Sequence, residues 1–316
     1  MLVTYIFKVN QNNSILRNQL KQKLNDMNLT INNLSKTYSN GVHALDNVSL
    51  TIPNGLFGLL GPNGAGKSTL MRTIATLQDA DAGEIRMDDL DILSQKQELK
   101  QNLGYLPQEF GFYPRDKAID LLDQLSMLKG IHIKSERKAQ VEYLLRKVNL
   151  WEARKQRIGT FSGGMKQRFG IAQALLGNPK LIIVDEPTAG LEPYERRRFH
   201  NLLAEIGKDI IVILSTHIVD DVSNLCTNMA IIDKGKILIQ TVPGEIIKEF
   251  EGKIWEKEIT GMTVEEMGKK YRLISTRLFA GKTFVKIYNN GDPADEFISV
   301  DPILEDVYFY TLTTRS

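Results

Sequence analysis

Gly61-Pro62-Asn63-Gly64-Ala65-Gly66-Lys67-Ser68-Thr69 decides how the rest of this chain is read. The stretch fits the spacing G-x-x-x-x-G-K-[ST]. It follows the apolar run Leu56 to Leu60 and precedes the helical pattern Leu70 to Leu77. A strand that passes through glycines into a helix is the setting in which such a loop cradles phosphate. Glycines let the backbone wrap closely around an anion with its N–H groups turned inward, and the helix turns its positive end the same way. The spacing gives Lys67 a charge for the outer phosphates and Ser68 a hydroxyl for Mg²⁺.

Further along, Leu181-Ile-Ile-Val-Asp185-Glu186-Pro187 is an apolar strand that ends in two carboxylates. A buried parallel strand delivers such residues to the carboxyl edge of its sheet, where ligands bind in α/β folds. Paired with the phosphate loop, Asp185 is expected to hold Mg²⁺ through water, and Glu186 to polarise an attacking water as general base.

Apolar runs at Ala44 to Ile52, Leu56 to Leu60, Leu181 to Val184, Ile210 to Leu214 and Met229 to Ile232 read as strands, with Asn28 to Ile31 opening the series. Several are unbroken rather than alternating, as expected of strands covered on both faces. Between them, residues 115–129 place Ala118, Leu121, Leu122, Leu125 and Leu128 on one helical face. Residues 136–148 do the same with Val141, Leu144, Leu145 and Val148. The expected architecture is an α/β sandwich around a mostly parallel sheet. After Pro243-Gly244 the pattern changes: a charge-rich amphipathic stretch at 245–258, a strand at Thr283 to Tyr288, a turn at Asn290 to Pro293 and a helix from Pro302 to Leu312. The expected division is 1–26 as a disordered extension, 27–244 as the main domain and 245–316 as a small α+β appendage.

Composition narrows the function. Hydrophobic residues are 42% and charged residues 25%, close to the globular average. Forty basic residues against 38 acidic ones give a net charge of +2, with no electrostatic sign of a nucleic-acid binder. The run Arg196-Arg197-Arg198 is read as a solvated helix face. A single cysteine, Cys226, excludes an intramolecular disulfide, suits a reducing compartment, and is expected to be a small buried hydrophobe. The longest apolar runs fall far short of the ~20 residues a spanning helix needs. Met1 to Val9, broken by Thr4 and Lys8, is not read as a signal peptide.

Phe161-Ser162-Gly163-Gly164-Met165-Lys166-Gln167-Arg168 supplies a second serine-glycine helix start, and with it a second anion site. One compact domain has no use for two such sites on one phosphate, which suggests a head-to-tail pair of chains. Ser-Gly-Gly upstream of an acid-ended strand resembles the signature of ABC transporter ATPases. Under that resemblance Tyr38 is the aromatic that stacks on adenine. Gln108, in Tyr105-Leu-Pro-Gln108, is the Q-loop residue that senses Mg²⁺ and water. Ala189-Gly190-Leu191-Glu192-Pro193 is the D-loop, and His217 is the switch histidine that contacts the γ-phosphate. The resemblance covers about residues 28–240. It implies the P-loop NTPase fold of the ABC type, with an antiparallel β subdomain and a helical subdomain at about 109–175.

The resemblance further implies that ATP and Mg²⁺ are bound between two copies of the chain. Ser162, Gly163 and Gly164 of one copy would close on the 61–69 loop of the other. Separate membrane permease subunits would dock near Glu109 to Leu128, with Phe110, Phe112 and Tyr113 facing them, at the cytoplasmic side of the plasma membrane. Met165 stands where the family has Gln, and Glu192 where it has Asp; both read as tuning. Val300-Asp-Pro-Ile-Leu304-Glu305-Asp306-Val307-Tyr308 resembles the ending of prokaryotic drug, antibiotic and sodium exporter ATPases, which favours export. The rival readings are a soluble ABC ATPase of DNA repair or translation, and an ATP-binding regulatory subunit that does not hydrolyse.

Overall fold

The computed structural model describes residues 27–108, 111, 114–259, 263–294 and 296–315. The expected disordered extension at 1–26, and Glu109, Phe110, Phe112 and Tyr113, lie outside the described residues.

Two sheets build the main body. Strands β1 (Asn28–Thr37), β2 (His43–Pro53), β4 (Ala82–Met87) and β5 (Leu90–Asp91) form an antiparallel sheet in the order β2-β1-β4-β5. The second sheet has the order β10-β9-β3-β8-β7-β6. Its members are β3 (Gly55–Leu60), β6 (Leu103–Leu106), β7 (Leu181–Asp185), β8 (Ile211–Thr216), β9 (Asn228–Asp233) and β10 (Lys236–Thr241). Five of these strands run parallel, and β10 closes the edge antiparallel to β9.

The unbroken apolar strands divide their side chains between two cores. Ile182, Val184, Val212, Leu214 and Met229 join one; Leu181, Ile183, Ile211, Ile213 and Ala230 join the other. The second core is shared with the antiparallel sheet and helix α1 (Lys67–Ile74). Period-2 alternation therefore fills both faces of one strand, which is why the runs contain no polar residue. Helix α2 (Lys96–Asn102) leads into β6. Helices α3 (Ala118–Leu128), α4 (Lys134–Lys147), α5 (Gly163–Ala174), α6 (Pro193–Ile206) and α7 (Val219–Leu225) contribute to the first core. Ala118, Leu121, Leu122, Val141, Leu144, Leu145 and Val148 are buried as their spacing requires. Leu128 is not: it is 84% exposed at the end of α3.

The C-terminal region departs from its sequence reading in one respect. The stretch 245–258 is not a single amphipathic element. Helix α8 (Pro243–Glu249) ends, and the chain turns into strand β11 (Ile254–Glu258), so the 244/245 boundary falls inside a helix. Strands β12 (Arg272–Phe279), β13 (Lys282–Tyr288) and β14 (Ile298–Ser299) complete a sheet in the order β12-β13-β11-β14. Helix α9 (Val264–Lys270) starts with a capping box between Thr263 and Glu266. The final helix, α10 (Leu304–Arg315), buries Leu304, Val307 and Tyr308 in the same core as Val222 of α7. Asp306 is 2% exposed and pairs with Lys286 at 3.1 Å. Phe250 meets Tyr288 and Tyr310 edge to face, and those two tyrosines lie tilted at 37° to each other.

Candidate functional site: a phosphate loop at the carboxyl edge of the parallel sheet

The parallel strands deliver their following residues to one edge. The loop 61–69 leaves β3, Gln108 follows β6, Glu186 follows β7, and His217 follows β8. Register aligns them: Leu60 pairs with Thr216, and Asp185 pairs with Ser215. Residues far apart in sequence therefore share one level of the sheet, at the edge where α/β folds bind ligands.

Helix α1 begins at Lys67 with Gly66 as its cap, at φ +105° and with no side chain satisfying the first N–H groups. Only glycine takes that backbone readily, and a Cβ there would lie 2.5 Å from Ala44 O. A Cβ on Gly61 would collide with Ile232 O. The loop is thus held tight on its protein side while Asn63 and Gly64 face outward. Lys67 is 5% exposed, and its Nζ donates to Gly61 O at 2.8 Å and Pro62 O at 3.0 Å. Burial pulls its ammonium below the ordinary value, with the Glu186 and Asp185 carboxylates pulling the other way. An anion in the loop can replace those neutral carbonyls as acceptor and add a charge–charge attraction to bonds that the ammonium already makes charge-assisted.

The Glu186 carboxylate is where the other side chains converge. Lys67 Nζ lies 3.7 Å from Oε1, His217 Nδ1 lies 3.2 Å from Oε1, and Gln108 Nε2 donates to Oε2 at 3.2 Å. Glu186 itself sits at φ +47°, a left-handed conformation that is uncommon outside glycine and marks functional turns. Behind it, Asp185 is 4% exposed and its Oδ1 has no hydrogen-bond partner; Ser215 Oγ is likewise buried and unpartnered. An orphaned buried carboxylate oxygen calls for a water or a cation. Ser68 is exposed one residue past Lys67. Among the described residues no three His, Cys, Asp or Glu side chains could hold a metal by themselves. That donor set, one hydroxyl and one carboxylate, fits Mg²⁺, which keeps waters and takes the rest of its shell from substrate phosphates.

Tyr38 lies in the turn between β1 and β2. Its hydroxyl is 3.1 Å from Thr69 Oγ1 and donates to Gln78 Oε1 at 3.2 Å, and the residue stays 37% exposed. This anchors the aromatic beside the loop with part of its ring available for stacking.

Ser162, Gly163 and Gly164 stand apart from this cluster. Among the described residues, no side-chain hydrogen bond or ion pair joins them to the 61–69 loop. Ser162 caps α5, accepting from Met165 N at 3.2 Å, and with Gly163 it is exposed. Gly164 is buried, and a Cβ there would collide with Glu195, which is ion-paired with Arg168. The side chain of Met165 packs partly against the first core, whereas Glu192 is exposed at the start of α6 and makes no capping bond. Cys226 is buried, and burial pushes its thiol far up.

Sequence reading missed a group behind the site. Asp221 is fully buried and gathers Thr188, Arg196, His200 and Thr216. Arg196 therefore belongs to a buried ion pair and not to a solvated face. The signal was present in the spacing: Arg196 and His200 are one turn apart on α6.

A glycine-lysine loop after one parallel strand, with acids and a histidine at the ends of its neighbours, defines a P-loop nucleotide hydrolase. Residues 45–189 match the ABC transporter family. An ABC transporter ATP-binding protein of Bacillus subtilis, YxlF, is 39% identical over 212 residues, covering 66% of this chain and 69% of its own. The linearmycin resistance ATP-binding protein LnrL of the same organism is 35% identical, covering 66% and 68%. A methionine import ATP-binding protein, MetN 1 of Bacillus thuringiensis, is 34% identical, covering 66% and 65%. A solved dimeric post-hydrolysis ATP-binding cassette bound to ADP and Pi superposes with a TM-score of 0.61 at 25% identity, covering 68% of this chain and 98% of that one. The chain belongs to the ATP-binding proteins of the ABC transporter family, and with them to the ATP-hydrolysing cassette enzymes.

Proposed function

We propose that this chain is the ATPase of an ABC exporter, and that two copies sandwich two ATP molecules between the 61–69 loop of one and residues 162–164 of the other. The observation that carries the reading is the convergence of Lys67, Gln108 and His217 on the Glu186 carboxylate beside that loop. In this reading the loop N–H groups of Gly64, Ala65 and Gly66 and the Lys67 ammonium bind the outer phosphates. Asn63, Pro62 and Gly61 shape the loop, and Thr69 steadies Tyr38 under the adenine. Ser68, Asp185 and Gln108 hold Mg²⁺, which neutralises phosphate charge when bound. Glu186 takes the proton of the attacking water, and His217 orients the γ-phosphate.

Two features support the partner copy. Ser162 and Gly163 are exposed at the N-terminal end of α5, and an exposed helix start is a ready anion site. A loop carrying Lys67 on its protein side leaves Asn63 and Gly64 open to a second surface.

The membrane partner is supported by a groove of about 360 Å³ lined by Leu77, Tyr105, Leu125 and Leu128, where Leu77 is 59% and Leu128 84% exposed. Large exposed leucines rimmed by Lys100 and Lys129 suit an apolar segment of a permease at the cytoplasmic face. Among the described residues no helix is long and apolar enough to cross a membrane. Export is favoured by the resistance relative and by the 300–308 ending, against the import relative.

The test is phosphate release by the purified chain, with and without Mg²⁺, followed by co-purification with a candidate permease. Mg²⁺-dependent release supports the reading; ATP binding without turnover favours the regulatory alternative. Transport assays in vesicles with the permease then separate export from import.

A further inference from the structure

Asp221 is 0% exposed, and the reading above assigns it no part. It stands in the first turn of α7, just beyond His217. A buried carboxylate costs several kcal/mol unless it is paired. Here the partners are sorted by oxygen. Oδ1 accepts from Arg196 Nε at 2.9 Å and lies 2.7 Å from His200 Nε2, both on α6. Oδ2 accepts from Thr188 Oγ1 at 2.6 Å and from Thr216 Oγ1 at 3.4 Å.

Those two hydroxyls belong to the segments that carry the site. Thr188 follows Glu186 and opens the 189–193 loop. Thr216 precedes His217, and its Oγ1 also accepts from Ile218 N at 3.0 Å, which fixes the turn on which His217 stands. Glu186 N in turn donates to Ser215 O at 2.9 Å, so the two segments already touch through backbone. Burial would raise the Asp221 carboxyl, but bonds from His200, Thr188 and Arg196 outweigh it and hold the group below the ordinary carboxylate range. One anion thus joins four segments: the end of β7, the end of β8, α6 and α7.

We propose that Asp221 is a positioning residue for hydrolysis: through Thr188 and Thr216 it holds Glu186 and His217 in mutual reach and ties both to the loop 189–193 that leads into α6. The inference rests on the assignment of Glu186 and His217 to the hydrolytic site. A buried carboxylate needs donors on both oxygens whatever its role. What points to positioning is which donors Oδ2 takes: Thr188 and Thr216, each within two residues of Glu186 or His217.

Thr188→Val removes one O–H at nearly constant volume and leaves the ion pair intact. The expected result is a kcat for ATP lowered roughly 10–100-fold, an unchanged KM, unchanged binding of a fluorescent ATP analogue, and recovery in Thr188→Ser. Thr188→Ala, which removes the same O–H and leaves Asp221 paired with Arg196 and His200, gives the same split and serves if the valine variant does not fold. A kcat within twofold of wild type in either folded variant overturns the proposal. So does a loss that Thr188→Ser fails to recover, or one that tracks a fall in Tm and ATP-analogue binding together. Failure of the wild type itself to bind the analogue or release phosphate would instead count against the hydrolytic site.

Discussion

The Nδ1 of His217 stands 3.2 Å from Oε1 of Glu186, although the two residues follow different strands, β8 and β7, that lie side by side in the sheet. The contact exists because Asp185 is in register with Ser215, which brings the next residues of both strands to the same corner. Glu186 meets it from a left-handed backbone that few residues adopt without cause.

Replacing that carboxylate by its amide keeps the shape and removes the base. Glu186→Gln is expected to bind ATP as the wild type does and to lose on the order of 10²–10⁴ in turnover. Single-turnover phosphate release measures it, and a variant that turns over at the wild-type rate removes Glu186 from the chemistry.

Lys67 is expected to act on binding. Its loss removes a charge-assisted contact of about 1.5–3 kcal/mol, so Lys67→Ala should weaken ATP affinity roughly 10–100-fold. Titration with a fluorescent analogue reads the change. Unaltered affinity would show that the backbone N–H groups suffice.

Adjacent glycines of the second serine-glycine start should behave differently. Gly164→Ala drives a methyl into Glu195 and strains the Arg168 pair, at a cost of about 1–3 kcal/mol. Gly163→Ala has only Leu191 Cδ2 nearby, at 4.0 Å, and should leave Tm unchanged. Equal melting of both variants would contradict this packing.

Much of the architecture could be read from sequence because its signals are local. Leu181 to Val184 is apolar without interruption since both of its faces are covered, and the glycines of 61–66 permit few backbones. Short strands such as β5 and β14 carry two residues each and leave no period to detect. The strand at Ile254–Glu258 is hard to see because Glu256 and Glu258 fall on one face and Lys257 on the other, all half-buried, so no apolar alternation marks it. Leu128 fits a helical stripe but extends past the core it was assigned to. At the site, residue types and strand ends were legible, whereas of the Asp221 group only the one-turn spacing of Arg196 and His200 was, because its members come from four separate segments joined through side chains.

Asp221 also sets an acid-stability expectation. Its folded-state carboxyl lies below the ordinary 3.8. The stability it contributes is therefore present above that value and is lost as pH falls through the lower native one. Thermal melts from about pH 5 down to about pH 2 should fall more steeply for the wild type than for Asp221→Asn. Parallel slopes would remove Asp221 from the acid-sensitive groups.

In the proposed sandwich each chain holds only half of a nucleotide site, and sedimentation of Glu186→Gln with Mg-ATP reads that sharing out. The expected result is a dimer with nucleotide and a monomer without it, and a monomer that still binds ATP when Ser162→Arg is added. Persistence of the dimer in the doubly substituted chain, or absence of any nucleotide-dependent dimer in Glu186→Gln, would show that residues 162–164 do not complete a partner's site.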